Sequence, residues 1–468
     1  MSLSLQSYKG TRDIYPEDMR LRNYIFNTWR TVAESFGYEE YDAPLLESLE
    51  IYAAKSGQEI VNDQTYTFTD RGDRTVAIRP EMTPSISRMV AARRQEMPMP
   101  ARLFSISNFM RYERPQKGRE REFWQFNMDL FGVDGVAADA EIITMSDKIM
   151  RKLGADEAMF KIRVNDRRLT DFVMRKYLEL DENQAGAMIK LFDRREKISV
   201  EEFETEVAEI VANSQSQLDS ACHSELVSES SKESAEILKR VQDDNIGIQY
   251  DKNDIKDSKN IIKKINKIIE AKSLDEFIKN MPENAPIDEL KELFEKLEKS
   301  GISSAVFDPT LMRGFDYYTG TVFEVFDQNP DNRRAMFGGG RYDGLISLFG
   351  VEPLPVVGAG IGETTTIEFL RGHDLIPELK PATDVMIIPM GDIDVTDVAN
   401  NLREQKFNVA IDFTDRKTDK KIKAAAKANI QFVAFIGETE IESGEIILKN
   451  LTTGEQQPLS ILISQKTK

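Results

Sequence analysis

A chain of 468 residues exceeds one ordinary hydrophobic core, and length alone predicts about three domains. Its 40% hydrophobic and 30% charged residues, with no apolar run near the roughly 20 residues of a membrane span, exclude a membrane-embedded chain and predict a soluble one. A formal charge of −18 speaks against nucleic-acid binding by the surface as a whole, the single cysteine excludes an intrachain disulfide, and two histidines leave no histidine cluster for metal or acid–base work.

The N-terminal stretch "MSLSLQSYKGTRDIYPED" lacks a basic-then-apolar leader, which predicts a cytoplasmic protein. A helix begins at Pro16, with Glu17 and Asp18 at the positive end of its dipole. Leu21, Ile25, Trp29, Val32 and Phe36 recur along it at helical spacing, and Gly37 stops it. "GYEEYDAPLLE" reads as extended, with Pro44 at an edge or crossing. Strands follow at "TYTFTD", "RTVAIRP", "ARLFSISNFMRYE" and "EFWQFNMDLFG", and strands with so few helices between them predict an antiparallel sheet. From Asp166 to Gly301 amphipathic helices such as "NIIKKINKIIEAK" and "IDELKELFEKLEK" predict an inserted helical domain.

Inside that domain, Ser214 to Asn245 is rich in Ser, Glu and Lys and poor in aromatics, which predicts exposure or disorder. It resembles the short peptides encoded by mobile palindromic repeats, so it reads as an insert tolerated in a surface loop. Cys222 and His223 lie within it and read as a passive pair rather than a redox or metal site. Strands return from Ala305 to Phe326, and "LMRGFDYYTGTVFEVF" (Leu311–Phe326) has the alternation of a strand while carrying Arg313, Asp316, Tyr317 and Tyr318. "MFGGGRYDGL" and "LPVVGAGIGETTTIEFLRG" come next, and "HDLIPELKPATD" reads as a linker. From Val385 strands alternate with helices, which predicts a small α/β domain with a largely parallel sheet. The boundaries are therefore 1–165 and 301–374 for an α+β sheet domain, 166–300 for the helical insertion, 375–384 for a linker and 385–468 for the last domain.

Four stretches carry chemistry. "FMRYERPQKGREREFWQFNMDLFG" gathers Arg111, Arg114, Lys117, Arg119 and Arg121 around Glu113 in an acidic protein. Guanidinium forks suit phosphates, and Phe123 and Trp124 offer faces on which a base can stack. A solvated hairpin laced with salt bridges is the plain alternative, but Arg111 and Arg119 flank one turn and can reach a single polyphosphate. In "RPEMTPSISR", Glu81 and Thr83 point the same way on an extended segment, and a carboxylate with a hydroxyl suits an ammonium group. Thr83 before Pro84 also reads as a helix N-cap, and the two roles are compatible.

The glycines of "FGGGRYDGL" admit a flat ligand or another chain, or simply make a turn, and they match neither a dinucleotide fingerprint nor a phosphate loop. "DRKTDKKIKAAAKAN" places Arg416, Lys417, Lys420, Lys421, Lys423 and Lys427 on or beside one helix. That density suits a phosphate backbone, and it equally suits a solvated lysine-rich helix.

In this order the motifs resemble the histidyl-tRNA synthetase family of class II aminoacyl-tRNA synthetases, over nearly the whole chain. "GTRDIYP", the following helix and Pro44 resemble the family's opening and first class II motif, which builds a dimer interface. "FMRYERPQKGREREFWQF" resembles the second motif, and "LMRGFDYYTGTVFEV" and "GGGRYDGL" resemble two histidine-specific signatures. "VAFIGETEIESGEIILKNLTTGEQ" resembles the end of an anticodon-binding domain. The resemblance implies a six-stranded antiparallel class II catalytic sheet, a helical insertion domain, a C-terminal α/β anticodon-binding domain and a homodimer.

It also implies roles at matching positions. Arg111 would bind the α-phosphate and the amino-acid carboxylate, with Arg313 facing it across the reacting atoms. Glu113 would meet the adenine amino group, Phe123 would stack on the ring and Arg119 would hold the outer phosphates. Glu81, Thr83 and Gln125 would bind the α-ammonium of histidine. Asp129, where some members carry Glu, would pair with the imidazole together with Tyr318, and Tyr317 would flank it. Gln116 would approach the tRNA acceptor end, while Lys420 and Lys421 would contact tRNA in the last domain. The third class II motif usually ends in an arginine, but "GAGIGETTTIEFL" puts Thr365 there. The implied activity is a histidine–tRNA ligase that uses ATP with Mg2+ as substrate, holds no resident metal or tightly bound cofactor and stays off the membrane. A catalytically silent regulatory subunit of histidine biosynthesis is the alternative, and the arginine signature and the basic last domain favour the enzyme.

Overall fold

A computed structural model describes residues 3–53, 64–116, 118–195, 198–212, 252–312, 317–332 and 334–466. Arg313, Asp316, Lys117, Cys222, His223 and the 214–245 stretch lie outside them. The chain divides into two compact units, Met1–Arg12 with Ile25–Leu375 and Asp13–Tyr24 with Ile376–Lys468.

Helix α1 (Pro16–Ser35) starts at its proline, carries Glu17 and Asp18 in its first turn, and buries Leu21, Ile25, Trp29 and Val32 at the expected spacing. The first unit is built on an eight-stranded sheet. Its strands are β1 (Glu39–Glu40), β2 (Ala101–Met110), β3 (Glu122–Phe131), β4 (Phe160–Asp166), β5 (Ala305–Phe307), β6 (Thr321–Asp327), β7 (Ala335–Arg341) and β8 (Val356–Gly362). Their spatial order is β1-β2-β3-β8-β7-β6-β4-β5. The six inner strands are antiparallel throughout, and β1 and β5 add to the edges in parallel. Six strands are the class II expectation; the two extra edges are pieces of two and three residues, too short to leave an alternating pattern.

The ten-residue strands β2 and β3 pair from Ala101↔Phe131 to Met110↔Glu122. Successive side chains on a strand take opposite faces, so Trp124, Phe126 and Met128 share one face of β3 while Gln125, Asn127 and Asp129 share the other. Phe126 packs 5.7 Å from Trp29 of α1 and 5.7 Å from Phe104 of β2, which makes the first face a core. The second face is left for the site. Helix α2 (Thr83–Arg93) precedes β2, α3 (Val136–Lys152) follows β3, and α4 (Glu363–Gly372) follows β8 directly. Buried Asp139 of α3 is ion-paired with Arg341 of β7 at 2.8 Å, and Arg341 also donates to the Gly135 carbonyl.

Between β4 and β5 the described residues are helical, including Glu182–Arg194, Val200–Ala212, Lys252–Glu270 and Asp288–Lys299. Arg168 fastens this layer, reaching Asp166 at the end of β4 and Glu289 of the last helix, both at 2.6 Å. In the second unit, β9 (Val385–Pro389), β10 (Val409–Ile411) and β11 (Phe432–Ile436) are parallel, and β12 (Ile447–Asn450) and β13 (Gln456–Pro458) extend the sheet antiparallel. Helix α5 (Thr396–Glu404) covers one face through Ala399 and Leu402, and α6 (Thr418–Lys427) covers the other through Ala425. Among the described residues no helix is long and apolar enough to cross a membrane.

Candidate active site

Strand β8 runs beside β3 with Gly358 opposite Asp129, Gly360 opposite Asn127 and Gly362 opposite Gln125. A Cβ on Gly358 would stand 2.1 Å from Asp129 Oδ1, and one on Gly360 would stand 2.4 Å from Gln125 Nε2. Two of these glycines are therefore the reason the polar side chains of β3 can lie down across the sheet. The result is a cavity of about 520 Å3 over a flat floor.

One end of the cavity is dry. Asp129 is 4% exposed and accepts a 2.5 Å hydrogen bond from the Tyr342 hydroxyl. Burial pushes its carboxyl up to about 7, against the opposing pull of that phenol. The Tyr317 ring stands 5.0 Å from Tyr318 and 5.7 Å from Tyr342, both edge-on. Burial raises all three phenols, so they stay protonated and can donate. Glu81, 4% exposed, and Thr83 complete this end.

The other end is charged and wetter. Arg111 Nε donates to the Pro80 carbonyl at 2.9 Å, and its guanidinium sits 5.3 Å from the centre of the Phe123 ring. Arg119 Nη1 reaches Glu113 Oε2 at 3.0 Å. The loop turns back through Gly118, whose φ of +74° is left-handed, and reciprocal backbone bonds join Gln116 and Arg119.

Glu81, Thr83, Arg111, Glu113, Arg119, Phe123, Gln125, Asp129, Tyr317 and Tyr318 thus line one cavity. Gln116 lies instead in an adjoining groove, where it accepts a 3.2 Å hydrogen bond from Arg334. Several expectations change. Trp124 packs away from the cavity, its ring 5.5 Å from that of Phe26 and tilted against it, because it shares the core face of β3. Arg121 is 9% exposed, lies 4.1 Å over the Tyr112 ring and donates to Tyr8, so it braces the base of the loop and offers no free charge.

Thr83 is the first residue of α2 rather than its N-cap; Met82 holds that position, without a side-chain cap. The stretch around Tyr317 and Tyr318 is not strand, because β6 starts only at Thr321. Lys420 is exposed, but Lys421 is buried and its ammonium donates to the Asp412 carbonyl at 3.2 Å, so it does not belong to the outward basic face.

At the third-motif position, the Thr365 hydroxyl donates to the Gly362 carbonyl. Its neighbour Glu363 is buried and paired with Arg12 at 3.3 Å, and Arg12 also reaches Glu120 at 3.1 Å. The nearby cation is thus engaged by two carboxylates. Tyr342 and the glycines of β8 escaped the sequence reading. Tyr342 lies inside the quoted "GGGRYDGL", but its hydroxyl meets Asp129 only through tertiary folding.

The antiparallel sheet and the cavity on it define a class II aminoacyl-tRNA synthetase. A family model described as "Histidyl-tRNA synthetase" matches residues 10–362, and one described as "Anticodon binding domain" matches residues 384–462. The chain is 38% identical over 460 residues to a histidine–tRNA ligase of Leptospira biflexa, covering 97% of this chain and 95% of that one. It is 34% identical over 469 residues to one from Thermococcus kodakarensis, covering 97% and 96%. A crystal structure of histidyl-tRNA synthetase from Nostoc sp. PCC 7120 shares the fold with a TM-score of 0.74 at 23% identity, covering 99% and 100%. The chain belongs to the histidyl-tRNA synthetase family.

Proposed function

We propose that this cavity activates histidine with ATP and passes it to the 3′ end of tRNA(His). The supporting observation is that a charged end and a dry end, each with the side chains its substrate needs, meet in one cavity over a glycine floor. ATP enters as its Mg2+ complex, with adenine on Phe123 and its amino group toward Glu113. The outer phosphates draw Arg119 off Glu113, since the two are ion-paired at 3.0 Å. Histidine lies toward Asp129, its imidazole N–H donating to the carboxylate and its ammonium meeting Glu81, Thr83 and Gln125.

The histidine carboxylate attacks the α-phosphorus, the bond to the β-phosphate oxygen breaks and pyrophosphate leaves. Arg111 steadies the charge on the equatorial oxygens, which is the main demand of phosphoryl transfer. A ribose hydroxyl at the tRNA 3′ end then attacks the acyl carbon and AMP leaves. We assign Arg313 to the opposite side of the α-phosphate and Gln116 to the acceptor end. The protein works in the cytoplasm as a homodimer, and light scattering should give twice the chain mass.

Histidine biosynthesis regulation draws no support from the site. Charging assays with ATP, tRNA and each amino acid in turn test the proposal. Charging by histidine alone is expected, and failure with every amino acid would overturn it.

A further inference from the structure

The two walls of the charged end are joined by a side chain that does not itself line the cavity. One wall is the returning limb of the hairpin loop, where Gly118, Arg119 and Glu120 face the space. The other is the junction of β8 and α4, where Gly362, Thr364 and Thr365 face it. The walls nearly touch, since a Cβ on Gly118 would stand 3.9 Å from Thr365 Cγ2. Arg12 Nε lies 3.1 Å from Glu120 Oε2 on the first wall, and Arg12 Nη2 donates to Glu363 Oε1 at 3.3 Å on the second. The Glu363 side chain is 2% exposed. Its pairing is therefore held largely out of water, where charge–charge attraction is strong and a carboxylate left without its cation is costly.

Arg12 is delivered by a short N-terminal turn built for close approach. The Tyr8 carbonyl accepts from the Thr11 amide at 2.9 Å and from the Thr11 hydroxyl at 2.8 Å, and the Ser7 hydroxyl donates to the Thr11 carbonyl at 3.1 Å. Within that turn Gly10 has a left-handed φ of +87°, and its carbonyl accepts from the Arg121 amide at 2.7 Å. A Cβ on Gly10 would stand 2.7 Å from Arg121 Cδ and 2.9 Å from Pro115 Cγ, so a side chain there would push the turn off the loop. The turn thus rests on both limbs of the hairpin loop, and two residues later Arg12 reaches across to α4.

We propose that Arg12 is a positioning residue for the phosphate end of the cavity. It fixes the hairpin loop against α4, which sets the place of Arg119, and it offsets two carboxylates that would otherwise repel a polyanion. This rests on the reading that ATP binds at this end.

The test compares ATP binding by titration calorimetry, ATP–pyrophosphate exchange and thermal melting in the full-length protein and three variants. Arg12→Ala should raise the ATP Kd and KM by about tenfold or more while the histidine KM stays within about twofold of the parent. Arg12→Lys keeps the charge but lacks the planar fork that meets two carboxylates at once, so its ATP KM should return to within about threefold of the parent. Gly10→Ala leaves every charge in place and lifts the turn; it should raise the ATP KM about threefold with the histidine KM unmoved. If Arg12→Ala does not fold, the other two variants carry the same comparison. A lower Tm with the ATP Kd and KM unchanged would make Arg12 a structural tie only and overturn the proposal. So would equal rises in the ATP and histidine KM values. A parent that binds ATP but charges no tRNA with histidine, together with lost ATP affinity in Arg12→Ala, would sink the catalytic reading and leave the positioning role standing.

Discussion

The two ends of the catalytic cavity solve recognition in opposite ways. At the Asp129 end the carboxylate is 4% exposed and enclosed by phenols and glycine backbone, and burial lifts its pKa to about 7. At the Arg119 end the guanidinium side chain is 48% exposed and already held by Glu113. Charge–charge energy falls with dielectric, so a buried group discriminates strongly on shape and proton count, while an exposed pair is easily exchanged for a phosphate. The difference suits the proposed placement of the two substrates: a small neutral ring needs a shaped, buried slot, and a flexible polyanion needs cations that can move.

The comparison breaks most completely if the floor is raised. In Gly358→Ala the new methyl would stand 2.1 Å from Asp129 Oδ1 and 2.8 Å from the Met128 carbonyl, and a backbone atom cannot step aside. Histidine-dependent ATP–pyrophosphate exchange should fall by roughly two orders of magnitude or more. Gly186→Ala is the control. It lies in a helix with open space around it and should leave exchange unchanged while adding about 0.5–1 kcal/mol of stability. Equal exchange in Gly358→Ala and the parent would show that the floor does not shape the histidine slot.

Next in size is the pH response of Asp129. Its folded pKa of about 7 lies above the unfolded value of about 3.9, so the native state binds more protons between them. Its contribution to stability is therefore most favourable below pH 4 and falls as pH rises toward 7. Asp129→Asn removes this dependence. Between pH 5 and 8 the parent should lose roughly 2–3 kcal/mol relative to the variant, read from urea midpoints. A constant gap across that range would mean that the carboxylate is not held in a dry site. Tyr342→Phe sharpens the same point. Losing the phenol donor raises the carboxyl further and should raise the histidine KM about tenfold, with the ATP KM within twofold.

These residues also mark where sequence legibility stops. The charged end was readable because its groups lie within one hairpin: Arg111, Glu113, Arg119 and Phe123 are local, and the turn that joins them is short. Gln125 and Asp129 came from the family resemblance alone, and offering both Phe123 and Trp124 to a base overlooked that neighbours on a strand take opposite faces, which sends Trp124 to the core. The dry end needed contacts that no spacing encodes. Tyr342 meets Asp129 across 213 positions, and the need for glycine at 358 follows from a carboxylate on a neighbouring strand. Lys421 shows the converse, since charge density along a helix cannot tell an outward lysine from one whose ammonium is drawn in by a carbonyl.

The smallest expected effect separates the ends without any mutation. Raising ionic strength from about 0.05 to 0.5 M shortens the Debye length from roughly 13 to 4 Å, which screens exposed charges far more than buried ones. Arg119 faces solvent, so the ATP KM should rise by about two- to threefold. The Asp129 end is lined by Tyr317, Tyr318 and Tyr342, so if it holds the imidazole as proposed, the histidine KM should change less, by a factor that Tyr342→Phe enlarges. Exchange kinetics with each substrate varied at both salt concentrations would decide it. If the two KM values rose together, ionic strength would be acting on both ends alike, and the Asp129 slot would be open to water rather than sealed by its phenols.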